Sequence, residues 1–307
     1  MGTPAGIFAF LRSDINQCLK NMLDEYGTFL KSAESANVLN MTPEGWFAPE
    51  AMSVMIHVAE PNPPPGIKFC DIYECTPTLP HFGFRSWDAF FIRKFRDGVR
   101  PVYMKDLDPR KDPYIRNCCE SGPYALARGV SLRDQFWLKG QPYSLEDMLG
   151  GVANAEIFNG GTVYQAFLSA LSYHCWHAPV DGTVKKIINI PGSYYAENYW
   201  EGFANTTGPD PAAPNNSQGY ICQVATRSVM LLEAANPAIG LMGIVLVGMA
   251  EVSTCEWYVK EGDSVEKGQL IGTVSTSLTF LHRTFQLRHG NNVAKLRCYK
   301  AADQLTI

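Results

Sequence analysis

The chain has 307 residues, 46% of them hydrophobic and 18% charged, with a formal net charge of −4. That is the make-up of a globular protein long enough to bury a core, and its mild acidity argues against nucleic acid as a partner. The Met1–Leu11 start lacks the features of a signal peptide. The longest apolar run, Ala238–Ala250, is too short and glycine-rich to cross a bilayer, so no transmembrane segment is expected.

Residues 5–33 place Ile7, Phe10, Leu11, Ile15, Leu19, Met22, Leu23, Tyr26 and Leu30 at helical spacing, which predicts one or two amphipathic helices. A further helix is predicted over Pro49–Val58 and is stopped by the Pro61–Gly66 cluster. Ser86 is a capping residue for a short helix over Trp87–Phe95. Beyond about residue 105 the pattern changes to short β-like runs divided by Gly, Pro and Asn. The boundaries expected are therefore a helical region over 1–105, a β-rich domain over 106–272 and a divergent tail over 273–307. Thr206–Gln218 reads as a polar loop, and Ile244–Val247 reads as a buried strand. Nine cysteines without regular spacing suit a reducing cytosol. Cytoplasmic location follows as an expectation, and neither Cys70 nor Cys75 has a second pair with which to hold zinc.

The segment most suggestive of chemistry is Tyr173-His174-Cys175-Trp176-His177-Ala178-Pro179-Val180-Asp181-Gly182, which opens a strand over Thr183–Ile190. Histidine trades protons near neutral pH, and two of them beside aromatics point to proton transfer at the rim of an apolar pocket. Packed, hydrogen-bonded histidines are the plain alternative. Val259–Gly272 reads as two glycine turns around a short strand; with Ala178–Ile187 it is similar to the halves of a biotinyl/lipoyl-like sandwich. A carrier role would need a modifiable lysine in a hairpin tip such as Met-Lys-Met, and the chain has none.

Ordered motifs carry a resemblance. Phe90–Val102 matches F-F-x-R-x-L-x-x-G-x-R-P-I, Lys139–Leu149 matches K-G-x-x-Y-S-L-x-x-L-L, and Phe158–Gly161 matches F-x-G-G. The histidine segment matches Y-H-R-x-H-x-P-V-D-G, Pro191-Gly192 follows, and Val247-Gly248-Met249 stands for V-G-A. The chain thus resembles the phosphatidylserine decarboxylase family of pyruvoyl enzymes over roughly Ser86–Gly272. Its helical front, with Tyr26–Leu30 and Glu44–Phe47, resembles the soluble fungal L-tryptophan decarboxylase-like branch.

The resemblance implies an α+β fold, a helical N-terminal region followed by a β-sandwich with biotinyl/lipoyl-like halves. It implies a carboxy-lyase in which a serine of a Gly-Ser pair cleaves the chain and becomes a pyruvoyl group. That group forms a Schiff base with a small amino acid or an aminophospholipid such as phosphatidylserine. By motif position His177 is the base for self-cleavage and His174 a pocket residue near the substrate carboxylate. Glu120 stands beside Ser121, where the family has an orienting aspartate, and is the weak candidate for that role. A homodimer is expected from the family.

One departure matters most. After Lys267–Gly272 the family needs Gly-Ser, and this chain reads Thr273-Val274-Ser275-Thr276-Ser277-Leu278. Ser277 and Ser275 are weak candidates, because the residue before a cleaving serine has to be free of a stiff side chain. The single Gly-Ser pair, Gly192-Ser193, lies in another motif. Residues 273–307 carry five basic residues and one acidic, a net +4 beside −8 for the rest, which marks a compositional boundary of the kind left by a retained intron or shifted reading frame. Leu278–Leu281 is the apolar run available as the sandwich's last strand. Two readings stay open: a pyruvoyl-dependent decarboxylase, or an inactive or mis-spliced family member without the pyruvoyl group.

Overall fold

The computed structural model describes residues 4–103, 114–134, 143–169, 171–196, 217–275, 282–288 and 295–297. The predicted N-terminal helix is two: α1 (Pro4–Leu11) and α2 (Ser13–Leu30), parted at Arg12, whose backbone is extended. Asn16 stabilises the elbow. Its buried amide donates to the carbonyls of Phe10 and Arg12 at 2.8 Å and accepts from the Tyr194 N–H at 3.0 Å. Carbonyls released at a helix break are thereby satisfied, and the break is tied to a segment 178 residues away in sequence.

Helix α3 (Pro49–Ala59) starts with proline at its first turn and stops at Glu60, ahead of Pro61, because a residue preceding proline disfavours the helical region. Helix α4 (Phe69–Ile72) follows. Helix α5 covers Trp87–Phe91 only, not the predicted Trp87–Phe95, although Ser86 does cap it by accepting from the Ala89 N–H. The chain leaves the helix to pair with the Tyr73 segment: Arg96 N–H donates to Ile72 O, and Glu74 N–H to Lys94 O, both at 2.9 Å. Tertiary pairing overrides local propensity there.

The strands follow: β1 (Tyr114–Arg116), β2 (Gly122–Arg128), β3 (Arg133–Asp134), β4 (Tyr143–Ser144), β5 (Thr162–Leu168), β6 (Cys175–His177) and β7 (Gly182–Ile190). Helices α6 (Leu145–Met148), α7 (Val152–Ala155) and α8 (Gln218–Val224) lie among and after them, and α8 begins at Gln218, the end of the expected polar loop. Then come β8 (Arg227–Ala234), β9 (Leu241–Val247), β10 (Thr254–Trp257), β11 (Ser264–Val265), β12 (Leu270–Ser275), β13 (His282–Arg288) and β14 (Lys295–Arg297).

An antiparallel seven-stranded sheet has the order β11-β7-β8-β9-β13-β5-β2, and a three-stranded sheet the order β10-β12-β6. The α+β class expected from the resemblance is what the chain adopts: helices at the N-terminus, then antiparallel sheets. The central sheet is covered on both faces. Val229, Leu231, Val245 and Val247 pack with Leu145, Met148, Phe158 and Ile221. Met230, Leu232, Ile244 and Leu246 share one buried cluster with Trp176, Ile271 and Val274 of the small sheet, and that cluster continues into Leu30, Phe47, Phe69 and Phe90 of the helical front. Side chains alternate across a strand, so a strand buried on both faces reads as an unbroken apolar run. That is why the apolar run over Leu241–Val247 is a sheet strand, and it contains the buried strand expected at Ile244–Val247. His282–Arg288 enters the large sheet between β9 and β5; Leu278–Leu281, the run expected to supply the last strand, and Ser277 lie outside the described residues.

Candidate active site

Strand β6 and the Gly268 turn form the site. Residue 177 pairs with Leu270 across a bulge in the β6–β12 ladder. The Ala178 N–H donates to Gln269 O, and the Gly268 N–H to Ala178 O, both at 2.8 Å. Asp181, in the segment that opens the Thr183–Ile190 strand, accepts from the Lys267 N–H at 2.7 Å and fixes the turn that carries Gly268. Only glycine serves at 268: φ is +85°, and a Cβ would overlap the Val102 side chain. The carbonyl of this residue is aimed at His177.

His177 is held at both ring nitrogens. Nδ1 lies 2.7 Å from Gly268 O and Nε2 lies 2.8 Å from the Tyr173 hydroxyl. A carbonyl can only accept, so Nδ1 carries the hydrogen and Nε2 is the lone-pair nitrogen that accepts from Tyr173. Burial pushes the His177 pKa below its ordinary 6.5; the Gly268 bond opposes that shift and Lys94 adds to it. The ring is therefore neutral at pH 7, as a proton acceptor must be. Tyr173 sits in a column of near-parallel rings, 4.3 Å from Phe95 and 5.7 Å from His177, with Tyr73 a further 5.0 Å beyond Phe95.

A cavity of about 150 Å³ opens against these groups, walled by Phe95, Arg100, Cys119, Glu120, Tyr173 and His177 among others. Glu120 forms a buried ion pair with Arg100: Nη2 donates to Oε1 at 2.6 Å, and Nε lies 3.1 Å from both oxygens. Their side chains are 1% and 9% exposed. Arg100 also donates to Ala59 O at the end of α3 and lies 4.7 Å over the Phe95 ring. Glu120 thus lines the pocket with its oxygens held by Arg100, while Gly268 holds His177 Nδ1.

His174 does not join His177 on the cavity wall. It is fully buried, its ring stacked on Phe91 at 3.9 Å, and its carbonyl accepts from the Val274 N–H at 3.1 Å. The reason is parity: residues three apart in extended chain face opposite sides. Ser275 ends β12 and is paired with Thr254. Arg100, Tyr173 and Gly268 were each within a quoted motif, but their roles come from segments that meet only in the fold.

The eight described cysteines, Cys18, Cys70, Cys75, Cys118, Cys119, Cys175, Cys222 and Cys255, form no disulfide with one another. Among the described residues, no helix is long and apolar enough to cross a membrane.

Comparison with known proteins places this arrangement. A phosphatidylserine decarboxylase family model matches residues 87–293, and a second model of that description matches residues 1–55. The first runs past Gly272 and takes in β13. Decarboxylase iboD of Amanita muscaria is 40% identical over 281 residues, covering 88% of this chain and 76% of that protein. L-tryptophan decarboxylase of Psilocybe cubensis is 37% identical over 287 residues, 89% of this chain and 62% of its own length. The chain therefore spans about three fifths of the Psilocybe relative. Phosphatidylserine decarboxylase proenzyme 2 of Oryza sativa subsp. japonica is 27% identical over 193 residues, 63% of this chain and 28% of that protein. The chain belongs to the phosphatidylserine decarboxylase family, in the branch of the fungal tryptophan decarboxylases.

Proposed function

We propose that this chain is a decarboxylase-family protein that keeps the His177 cavity but does not make a pyruvoyl group of its own. The family uses such a group, and among the described residues neither Ser275 nor Ser193 fits its formation. The supporting observation is the backbone around Ser275. Val274 precedes it, buried and β-branched, with its N–H tied to His174 O, and residues 273–275 run in register with Glu256, Cys255 and Thr254. A serine that attacks the preceding carbonyl needs a backbone able to turn back on itself, and a paired strand with a stiff residue denies it. The Gly192-Ser193 pair is equally constrained: the Ser193 N–H donates to Val224 O at 2.8 Å, and its carbonyl accepts from the Thr226 N–H at 3.0 Å.

On this reading Glu120, His174 and His177 belong to a retained scaffold, with His177 a neutral base at the cavity. Denaturing intact-mass measurement tests it. A single uncut chain of 34.0 kDa is expected; two fragments, one with a pyruvoyl-blocked N-terminus, would overturn it.

The second reading is that the chain does process itself and acts in the cytoplasm, as a homodimer, on a tryptophan-like amino acid or phosphatidylserine. It is favoured by the 37% identity to L-tryptophan decarboxylase. Carbon dioxide release from L-tryptophan, compared with release from phosphatidylserine vesicles, separates its two substrates. Borohydride trapping of the substrate amine reads the carbonyl directly.

A further inference from the structure

We propose that Tyr173 is the positioning residue of His177: its hydroxyl donates to Nε2 and, with the Gly268 carbonyl at Nδ1, holds the imidazole as the Nδ1–H tautomer. The inference rests on the reading that His177 is the base of this cavity, and it assigns to a tyrosine and a backbone carbonyl the orienting task that the family gives to an acid. Three observations carry it. The two ring nitrogens have partners of opposite demand, 2.8 Å and 2.7 Å away. The carbonyl can only accept, so the hydroxyl is the donor at Nε2. Tyr173 itself has no freedom to drift, being 6% exposed and stacked between Phe95 and His177.

The consequence is chemical. A carboxylate at Nδ1 would stabilise the imidazolium, whereas a carbonyl stabilises it less, and a hydroxyl donating to Nε2 favours the neutral ring outright. Among the described residues, the charged groups around the ring include Lys94, the mutually paired Arg100 and Glu120, and Arg96 and Asp97 on the cavity wall. Proton uptake at Nε2 requires the Tyr173 hydroxyl to rotate its hydrogen away first. Tyr173 therefore sets both the tautomer and the readiness of the base.

The test uses the full-length protein, 15N-labelled at histidine, and reads no activity. The wild-type spectrum is expected to show a protonated Nδ1 and a lone-pair Nε2 at His177; a protonated Nε2 would sink the idea. Tyr173→Phe keeps the ring stack and removes the donor, so His177 should titrate higher. Its acylation at Nε2 by diethylpyrocarbonate, corrected for the neutral fraction, should accelerate roughly 2- to 10-fold, the equivalent of one net hydrogen bond. Exposed His57, bonded to Ser53 O, serves as the unchanged control. Genetically encoded 3-fluorotyrosine at 173 keeps the hydroxyl and makes it a stronger donor, so His177 should titrate lower. Opposite displacements by the two replacements are expected, and an unmoved His177 in either refutes the assignment. Cleavage of the chain, read by mass, is a separate observable, so failure of this inference is distinguishable from failure of the functional reading.

Discussion

At the scale of single residues, His177 and Gly268 depend on each other. Because burial lowers the folded pKa of His177 below 6.5, the unfolded chain takes up that proton first as the solution is acidified. The contribution of the neutral ring is therefore complete above 6.5 and is lost as pH falls toward the folded pKa, at up to about 1.4 kcal/mol per pH unit in that window. Urea midpoints between pH 7.5 and 5 should fall more steeply for the wild type than for His177→Asn, which has no proton to gain. Gly268→Ala should cost about 1–3 kcal/mol through its positive φ alone, and more through the Val102 overlap. It should also move the carbonyl off Nδ1, which the His177 nitrogen shifts would report.

At the scale of elements, the Arg100–Glu120 pair joins the segment after α5, the end of α3 and the loop after β1. Removing one member leaves the other charged and buried. Glu120→Ala should destabilise the fold by about 3–5 kcal/mol, measured by urea unfolding, while Arg100→Met with Glu120→Leu should recover much of that loss. Elements were legible from the sequence where their determinants are local. Ser86 caps α5 and Pro61 stops α3, and the glycine turns at 262 and 268 flank β11 as read. They were misread where a distant partner decides: the chain leaves α5 at Phe91 because Ile72 and Lys94 join a pairing that no local pattern announces.

At the scale of the whole molecule, one buried cluster runs from Leu30 and Phe90 in the helical front to Trp176, Ile271 and Ile244 in the sheets. Unfolding should therefore be a single transition. Helical circular dichroism should coincide with tryptophan fluorescence, whose reporters lie in both regions: Trp46 and Trp87 in the front, Trp176 and Trp257 in the sheets. Two separated transitions would show that the regions fold independently. Strand β13 is flanked on both sides, by β9 and β5, and proline is not tolerated in a central strand. Thr284→Pro should abolish that transition, leaving no cooperative core by calorimetry.

The sequence by itself determined the family, the α+β class, the turn glycines and the identity of His177 as the motif's second histidine, because those follow from local patterns and ordered motifs. It also determined the absence of a Gly-Ser pair after Gly272, which is a matter of residue order. Only the tertiary structure decided which groups touch His177. Tyr173 and Gly268 stand 95 positions apart and are brought together by the β6–β12 pairing; Glu120 was drawn to Arg100 by a buried charge's need for its opposite. His174 was turned away by strand parity, which depends on the backbone being extended and not on the histidine itself.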